Sequence, residues 1–226
     1  MRQRIFPLLC SLLLLAAMTV GAQAAPSDIV NGIRKRYDSL QNFTATFEQT
    51  LTHKESGSVE KRKGTLRFKK PLLIRWETEA PTPETLVVTE KEIWDYLPDE
   101  ELAYRYPPDL VQDSRSIIQV LTGQSALDRD FDLAEEGKEG GLRKVRLYPK
   151  DPSPQMVEAL IWVENDYLIR RADIIDFYGN HNDVRFVDFK SNSGVPASVF
   201  SFTPPKGVEV EDRREKDAVP ERNLFN

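Results

Sequence analysis

The chain has 226 residues, of which 40% are apolar types, with 31 lysines and arginines against 36 aspartates and glutamates. This composition excludes collagen-like and intrinsically disordered chains. The net charge of −5 argues against nucleic acid as a partner. A chain of this length suits a single domain with a sizeable buried core.

The first 24 residues differ in composition from the rest of the chain. Arg2 and Arg4 precede an apolar run over residues 5–20, and the small-residue motif Ala-Gln-Ala follows at 22–24. This pattern predicts a secretory signal peptide cleaved after residue 24, because the run is too short for a stable membrane span. The one cysteine, Cys10, lies inside this segment. We therefore expect an exported chain with no disulfide, thiol nucleophile or thiolate metal site.

The first predicted element is a helix whose apolar members recur at intervals of four, four and three: Ile29, Ile33, Tyr37 and Leu40. The period then changes to two between Phe43 and Leu51, which is typical of a half-buried strand. A polar turn at 54–58 leads into a second strand, with Gly64, Leu66 and Phe68 on one side.

Further short strands and one more helix follow in chain order. Strand patterns occur at 72–76, 86–88, 93–96 and 102–106, then at 131–133, 142–148, 157–163, 168–177 and 184–189. Residues 113–121 predict a second helix that Gly123 ends. Ser198 to Phe202 is the last predicted strand, and the charged stretch from Glu209 onward is expected to be loosely ordered.

About 11 short strands joined by tight turns must be largely antiparallel, and closing or nearly closing the sheet hides its edges. The predicted fold class is therefore mainly β, an incomplete antiparallel barrel with short helices. The expected domain division is a signal peptide at 1–24, one domain at 25–212 and a loose tail at 213–226.

Candidate catalytic groups are few. His53 and His181 both fall in polar turns, where solvated histidines are common. The acidic turns at 99–101 and 135–136 could hold calcium but are usually only solvated, and spacing alone does not make Asp173, Asp176 and Asp183 a glycosidase pair. No nucleophile-elbow, phosphate-loop or dinucleotide motif occurs. We predict no catalytic residue, no metal ligand and no cofactor.

A binding function has more support in the apolar residues. Taken singly, each candidate is better explained as ordinary core. As a set they could line a ligand cavity, because barrels wider than the smallest are not filled by their own side chains. The candidates on the strands are Phe47, Leu66, Phe68, Ile74, Trp76, Leu86, Val88, Trp94 and Tyr96. The candidates on the helices, which could plug the opening, are Ile33, Ile117 and Leu121.

Three motifs resemble the periplasmic outer-membrane lipoprotein carrier family, LolA. They are Phe43-x-Ala45-x-Phe47-x-Gln49, the run from Gly64 to Trp76, and Phe200 to Val208. The similarity extends from about Ser27 to about Asp212. It implies a helical lid over a hydrophobic cavity and a carrier that takes acylated lipoproteins from an inner-membrane ATP-driven releasing complex. It also implies delivery to an outer-membrane receptor where one exists, and we expect a monomer.

The resemblance also assigns roles to residues near the second turn. Lys70 stands where the family has an arginine associated with lid hydrogen bonds and the closed state. Lysine keeps the charge but loses the planar fork, so its contacts to backbone carbonyls are weaker. We hypothesise that Lys70 still steadies the lid, or that Arg75 takes part; a solvated Lys70 is the alternative. Ile74 and Trp76 match positions that face the cavity in the family.

Three other functions remain open from the sequence. Related half-barrel domains act as lipid or lipoprotein sensors, generally with an additional domain. A lipid-anchored acceptor of the same fold would need a cysteine that the exported chain lacks. A glycan or lipid hydrolase is disfavoured by the lack of catalytic motifs. Displacement of a hydrophobic dye by acylated but not deacylated lipoprotein would separate a carrier or sensor from an enzyme.

Overall fold

The structure is a computed structural model that describes residues 26–111 and 116–215. The predicted signal peptide lies outside the described residues. So do residues 216–226 of the predicted tail and residues 113–115 of the predicted second helix. In the described part, no helix is both long and apolar enough to cross a membrane.

The described residues form three α-helices and twelve strands. The helices are α1 (Pro26–Asp38), α2 (Ile117–Leu121) and α3 (Leu127–Asp130). The first six strands are β1 (Asn42–Thr52), β2 (Val59–Lys69), β3 (Leu73–Ala80), β4 (Glu84–Val88), β5 (Ile93–Leu97) and β6 (Leu102–Tyr106). The other six are β7 (Phe131–Glu139), β8 (Leu142–Pro149), β9 (Glu158–Val163), β10 (Ile169–Ile175), β11 (His181–Ser191) and β12 (Glu209–Asp212). Short 3-10 turns occur at Pro98–Glu100, Pro108–Val111 and Ala197–Phe200.

All twelve strands belong to one sheet, in the order β12-β6-β5-β4-β3-β2-β1-β11-β10-β9-β8-β7. Neighbouring strands are antiparallel except β12, which pairs in parallel with β6. The two edge strands, β7 and β12, do not pair with each other, so the sheet stays open. The predicted fold class, a mainly β incomplete antiparallel barrel with short helices, is confirmed.

The sheet separates two apolar clusters. We call the face that α1 and α2 cover the inner face, and the side chains packed there the inner cluster. It contains the whole predicted stripe of α1 together with side chains from the strands. The outer cluster lies on the other face of β4 to β6 and consists of Val87, Trp94, Ala103, Tyr96, Phe202 and Val208.

Close approach of strands requires glycine at one point of the inner face. Gly64 in β2 pairs with Phe47 in β1. A Cβ atom built on Gly64 would lie 1.9 Å from the carbonyl oxygen of Glu77 and 2.9 Å from the Phe47 ring. No side chain fits there, so glycine lets the Phe47 ring approach β2 closely.

The predicted last strand at Ser198 to Phe202 is wrong. Residues 197–200 form a 3-10 turn, and residues 201–208, which we call the strap, cross the outer face of the sheet. The alternation of Phe200 and Phe202 looks like a strand, but Phe202 packs on Trp94 with ring centroids 5.5 Å apart. The strap then leads into β12, so residues 209–212, expected to be loose, are paired with β6.

Candidate functional site

The inner face brings together most of the predicted lining residues. Phe47 and Trp76 are in ring contact, with centroids 4.4 Å apart. All seven strand residues named below are buried, at 4% exposure or less. The predicted residues found in the inner cluster are Phe47, Leu66, Phe68, Ile74, Trp76, Leu86, Val88, Ile33, Ile117 and Leu121.

Two predicted lining residues are placed on the opposite face. Trp94 and Tyr96 belong to the outer cluster, where the Phe202 ring lies 5.5 Å from each of their rings. The prediction that they line an inner cavity is therefore wrong. In β5 the inner positions are those of Ile93 and Asp95, because side chains alternate between the faces of a strand.

The helix α1 covers the inner face with the predicted apolar stripe. Ile29, Ile33, Tyr37 and Leu40 are all buried in the inner cluster. The stripe forms because residues three and four apart share one side of a helix. Asp28 in its first turn, with Lys35 and Arg36 in its last, matches the direction of the helix dipole.

Tyr37 connects α1 to two other elements, a role that sequence reasoning missed. Its hydroxyl donates a hydrogen bond to the carbonyl oxygen of Leu121 at the end of α2, at 3.3 Å. It also accepts one from the backbone N–H of Ile169 in β10, at 3.2 Å. Burial raises the pKa of this hydroxyl above its ordinary value, so it remains a neutral donor and acceptor. We call this arrangement the Tyr37 latch.

The glycine after α2 fits against the latch. A Cβ on Gly123 would lie 2.2 Å from the Tyr37 ring, and the positive φ of 69° is itself unfavourable for other residues. The sequence predicts the position of Gly123 as the end of the second helix. Its contact with Tyr37 could not be predicted, because the two residues are far apart in the chain.

Lys70 contacts the end of α1. Its ammonium nitrogen donates to the carbonyl oxygen of Asp38, the last residue of α1, at 3.0 Å. Its backbone N–H donates to the carbonyl of Gln41 at 2.9 Å. A cation at a helix C-terminus satisfies an orphan carbonyl and interacts favourably with the helix dipole. The contact between Lys70 and the lid helix is therefore present, while its role in opening remains a prediction.

Within the described part of the chain, the hydrogen bonds of Arg75 lead to Glu77 and Val199 and not to α1 or α2. Its guanidinium donates to the carbonyl oxygen of Val199 in the 3-10 turn before the strap, at 3.3 Å, and to Glu77 in the same strand, at 2.8 Å. Ile74 is in the inner cluster, so its neighbour Arg75 faces the other side of β3. The suggestion that Arg75 helps to hold the lid is therefore wrong in its geometry.

A cavity outside the inner face is polar and does not suit an acyl chain. A cavity of about 360 Å³ lies where β2, β4, β5 and β6 end, and it is lined mostly by charged and polar side chains: Glu60, Arg62, Thr82, Glu84, Leu97, Glu100 and Tyr104. An acyl chain would not be stable there, because these groups would lose water on contact with it. The described residues include no group of three His, Cys, Asp or Glu side chains placed to hold a metal ion.

His181 is not simply a solvated turn residue, as the sequence suggested. It begins β11, and its Nδ1 lies 2.9 Å from a carboxylate oxygen of Asp173 in β10. Burial raises the pKa of Asp173, and the hydrogen bond with His181 opposes that shift. The pair links two neighbouring strands at the outer face.

Comparison with known proteins agrees with this arrangement. The family model described as outer membrane lipoprotein carrier protein LolA matches residues 38–203. The chain is 28% identical to an outer-membrane lipoprotein carrier protein of Chromobacterium violaceum over 206 residues, which cover 91% of this chain and 97% of that protein. It is 29% identical to the protein of the same description from Photobacterium profundum, over 89% of this chain and 98% of that one.

A solved structure shares the fold. An uncharacterized conserved protein from Thermus thermophilus superposes with a TM-score of 0.55 at 16% identity, covering 83% of this chain and 98% of that one. The family match spans well over half of the chain and includes β1 to β11 with the inner face. The chain belongs to the family of outer membrane lipoprotein carrier proteins, LolA.

Proposed function

We propose that this protein binds the acyl chains of lipoproteins between the inner face and its helices, and carries them through the periplasm to the outer membrane. The observation that carries this proposal is the closure of a continuous apolar face by helices with few polar ties to the sheet. Burying each methylene is worth ~0.8 kcal/mol, so an acylated protein would rarely leave its membrane unaided.

The energetics of opening support the proposal. Separating α1 from its neighbours breaks the Tyr37 latch and the Lys70 contact. The ion pair Arg34–Asp128 is about half exposed, and the Arg36–Asp166 pair has a half-exposed carboxylate, so both pairs contribute little. Most of the cost of opening is therefore exposure of apolar surface, and a bound acyl chain would restore it. Loading then needs an energy source, while release needs only a better acceptor.

The partners and the route are proposed by analogy with the family. We propose cleavage of the signal peptide after residue 24, with residues 25–212 acting as the carrier domain and residues 213–226 as a tail. The donor would be an inner-membrane ATP-driven releasing complex, and the acceptor an outer-membrane lipoprotein receptor. The carrier itself would use no cofactor and catalyse no reaction.

Tryptophan quenching offers a direct test, because one of the three tryptophans lies on the inner face and the other two lie on the outer face. Trp76 is in the inner cluster, Trp94 is in the outer cluster, and Trp162 lies on the outer side of β9 with the Arg171 guanidinium 3.9 Å from its ring. A W94F/W162F variant keeps Trp76 as its only tryptophan, and W76F keeps the two outer ones. Each is titrated with a lipopeptide whose acyl chains carry bromine, which quenches indole fluorescence on contact.

We expect quenching in the variant that retains Trp76 and little in W76F. The same peptide without acyl chains should quench neither variant. Equal quenching of both variants, or quenching of the outer tryptophans alone, would place the acyl chain elsewhere and overturn the proposal. Movement of a labelled lipoprotein from inner-membrane vesicles to outer-membrane vesicles then tests delivery, with protein-free and W76F samples run beside it.

A further inference from the structure

Two aromatic side chains project from the turn between β10 and β11. Phe177 is 71% exposed and Tyr178 is 74% exposed. Their rings contact each other edge to face, with centroids 5.6 Å apart. We call these two residues the aromatic tip. Contiguous exposed apolar surface marks candidate sites of interaction with a protein or a membrane.

The turn that carries the aromatic tip is fixed by its own hydrogen bonds. One carboxylate oxygen of Asp176 accepts from the backbone N–H groups of Tyr178 and Asn180, at 2.8 and 2.9 Å. The other accepts from the side-chain amide of Asn180 at 2.8 Å. The Phe177 N–H donates to the carbonyl of Pro154 at 3.0 Å. These hydrogen bonds fix the backbone of the turn that carries the two exposed rings. An ordered turn loses less conformational entropy when its side chains bind a partner.

The aromatic tip lies at the end of the sheet far from Lys70. His181 pairs with Thr52, at the opposite end of β1 and β2 from the β2–β3 turn that holds Lys70. The neighbouring β1–β2 turn is tied to the aromatic tip, since the Lys54 N–H donates to the side chain of Asn180 at 2.9 Å. That turn exposes Lys54 beside Glu55, and Asp176 adds a second carboxylate, so these groups carry no net positive charge.

We propose that the aromatic tip inserts into the interface of a phospholipid bilayer. Two side chains offer an apolar contact on the order of 300 Å², well below the roughly 800 Å² per partner of a stable protein interface. A bilayer interface needs no matching surface, and aromatic rings, especially one with a polar hydroxyl, are favoured at headgroup depth. The lack of net positive charge next to the tip predicts that binding depends on the rings and not on anionic lipid.

The test uses the full exported chain and vesicles without lipoprotein. In F177W, a new exposed tryptophan is added at the tip, and vesicles of phosphatidylethanolamine with phosphatidylglycerol as the minor component should shift its emission to the blue. Phosphatidylcholine vesicles and added salt should change this shift little. In flotation assays, F177S/Y178S should bind vesicles at least about tenfold more weakly, because roughly 55 Å² of buried apolar area already corresponds to that factor.

The matched control is V187S, which removes a 55% exposed apolar side chain from the outer face of β11. It should bind vesicles like the unaltered protein. The proposal is overturned if F177S/Y178S floats with vesicles normally, if binding vanishes with salt, or if the F177W shift arises from self-association seen in sedimentation. Because the vesicles carry no acylated protein, these outcomes are independent of the quenching experiment on Trp76.

Discussion

Strand β5 and its neighbours bury apolar side chains on both faces, but the two faces are covered in different ways. On the outer face, the strap packs Phe202 against Trp94 and continues into β12, which extends the hydrogen-bonded sheet. Lys69 and Arg75 also donate to the carbonyls of Val195 and Val199 just before the strap. On the inner face the covering helices share no strand ladder with the sheet.

This difference makes the strap and β12 a fixed cover of the outer face, and the helices a cover of the inner face that can move. A strand paired along its length must break several backbone hydrogen bonds together before it can leave. The helix α1 keeps its own backbone hydrogen bonds wherever it lies, so its release costs side-chain contacts only. We therefore expect changes in the outer cluster to lower stability without opening the inner face. Changes in the contacts of α1 should open the inner face at a smaller cost in stability.

The largest effect on stability is expected from Trp94→Ala. The Trp94 ring contacts Phe202, stacks under the Arg105 guanidinium at 5.1 Å and donates to Glu92 at 2.8 Å. Loss of such a buried ring costs about 3–5 kcal/mol. Urea unfolding measures this loss. The substitution should leave binding of a hydrophobic dye to the folded protein unchanged; a rise in dye binding would show that the outer cluster also holds the lid.

Tyr37→Phe is expected to lower stability less than Trp94→Ala does, and to make the inner face more accessible to ligands. Removing the hydroxyl leaves the Ile169 N–H and the Leu121 carbonyl without this partner, at a cost of about 2 kcal/mol. Dye binding and the rate of lipopeptide loading should both increase. Unchanged loading would mean that the latch is not part of the lid.

The pH dependence of the Tyr37 effect sharpens this test. Burial raises the pKa of the hydroxyl above its ordinary value of 10.0, so the folded state favours the neutral form. Its contribution to stability is fully present below pH 10.0 and is lost as the pH rises towards the higher folded-state pKa. The stability difference between the unaltered protein and Tyr37→Phe should therefore shrink in alkaline solution. A constant difference would contradict the assignment.

Lys70→Met should cost about 1 kcal/mol, because it removes one charged hydrogen bond at the end of α1. It should also speed loading and release of lipopeptide. Lys70→Arg should retain the contact and slow both steps, since arginine offers more donors. Lys63→Met, at an exposed position of the same β-hairpin, serves as control. Equal rates in Lys70→Met and the unaltered protein would refute the lid role.

Much of the fold could be predicted from the sequence. This holds for elements with one buried face, because the spacing of their apolar residues then indicates both the type of element and the face. The stripe of α1 and the alternation of β1 are of this kind, and both are found in the inner cluster. The prediction of cavity-lining residues failed in β5. Ile93, Trp94 and Asp95 are all buried, so the sequence pattern does not indicate which side chains face the inner cluster.

The features of the site that the sequence did not predict depend on contacts between residues far apart in the chain. Tyr37 is 84 residues from Leu121 and 132 from Ile169, so no local pattern could reveal the latch. The Lys70 contact is predicted only by the family resemblance.

The smallest effect is expected from Arg34→Gln, which breaks the ion pair between α1 and α3. Both partners are about half exposed, and the pair is worth less than about 0.5 kcal/mol. The Arg34 guanidinium lowers the pKa of Asp128, so this contribution exists above pH 3.8, fades as the pH falls further, and weakens with salt. Arg129→Gln, which removes a pair inside α3, is the control. If Arg34→Gln opened the inner face as Tyr37→Phe does, charge and not apolar contact would close the lid.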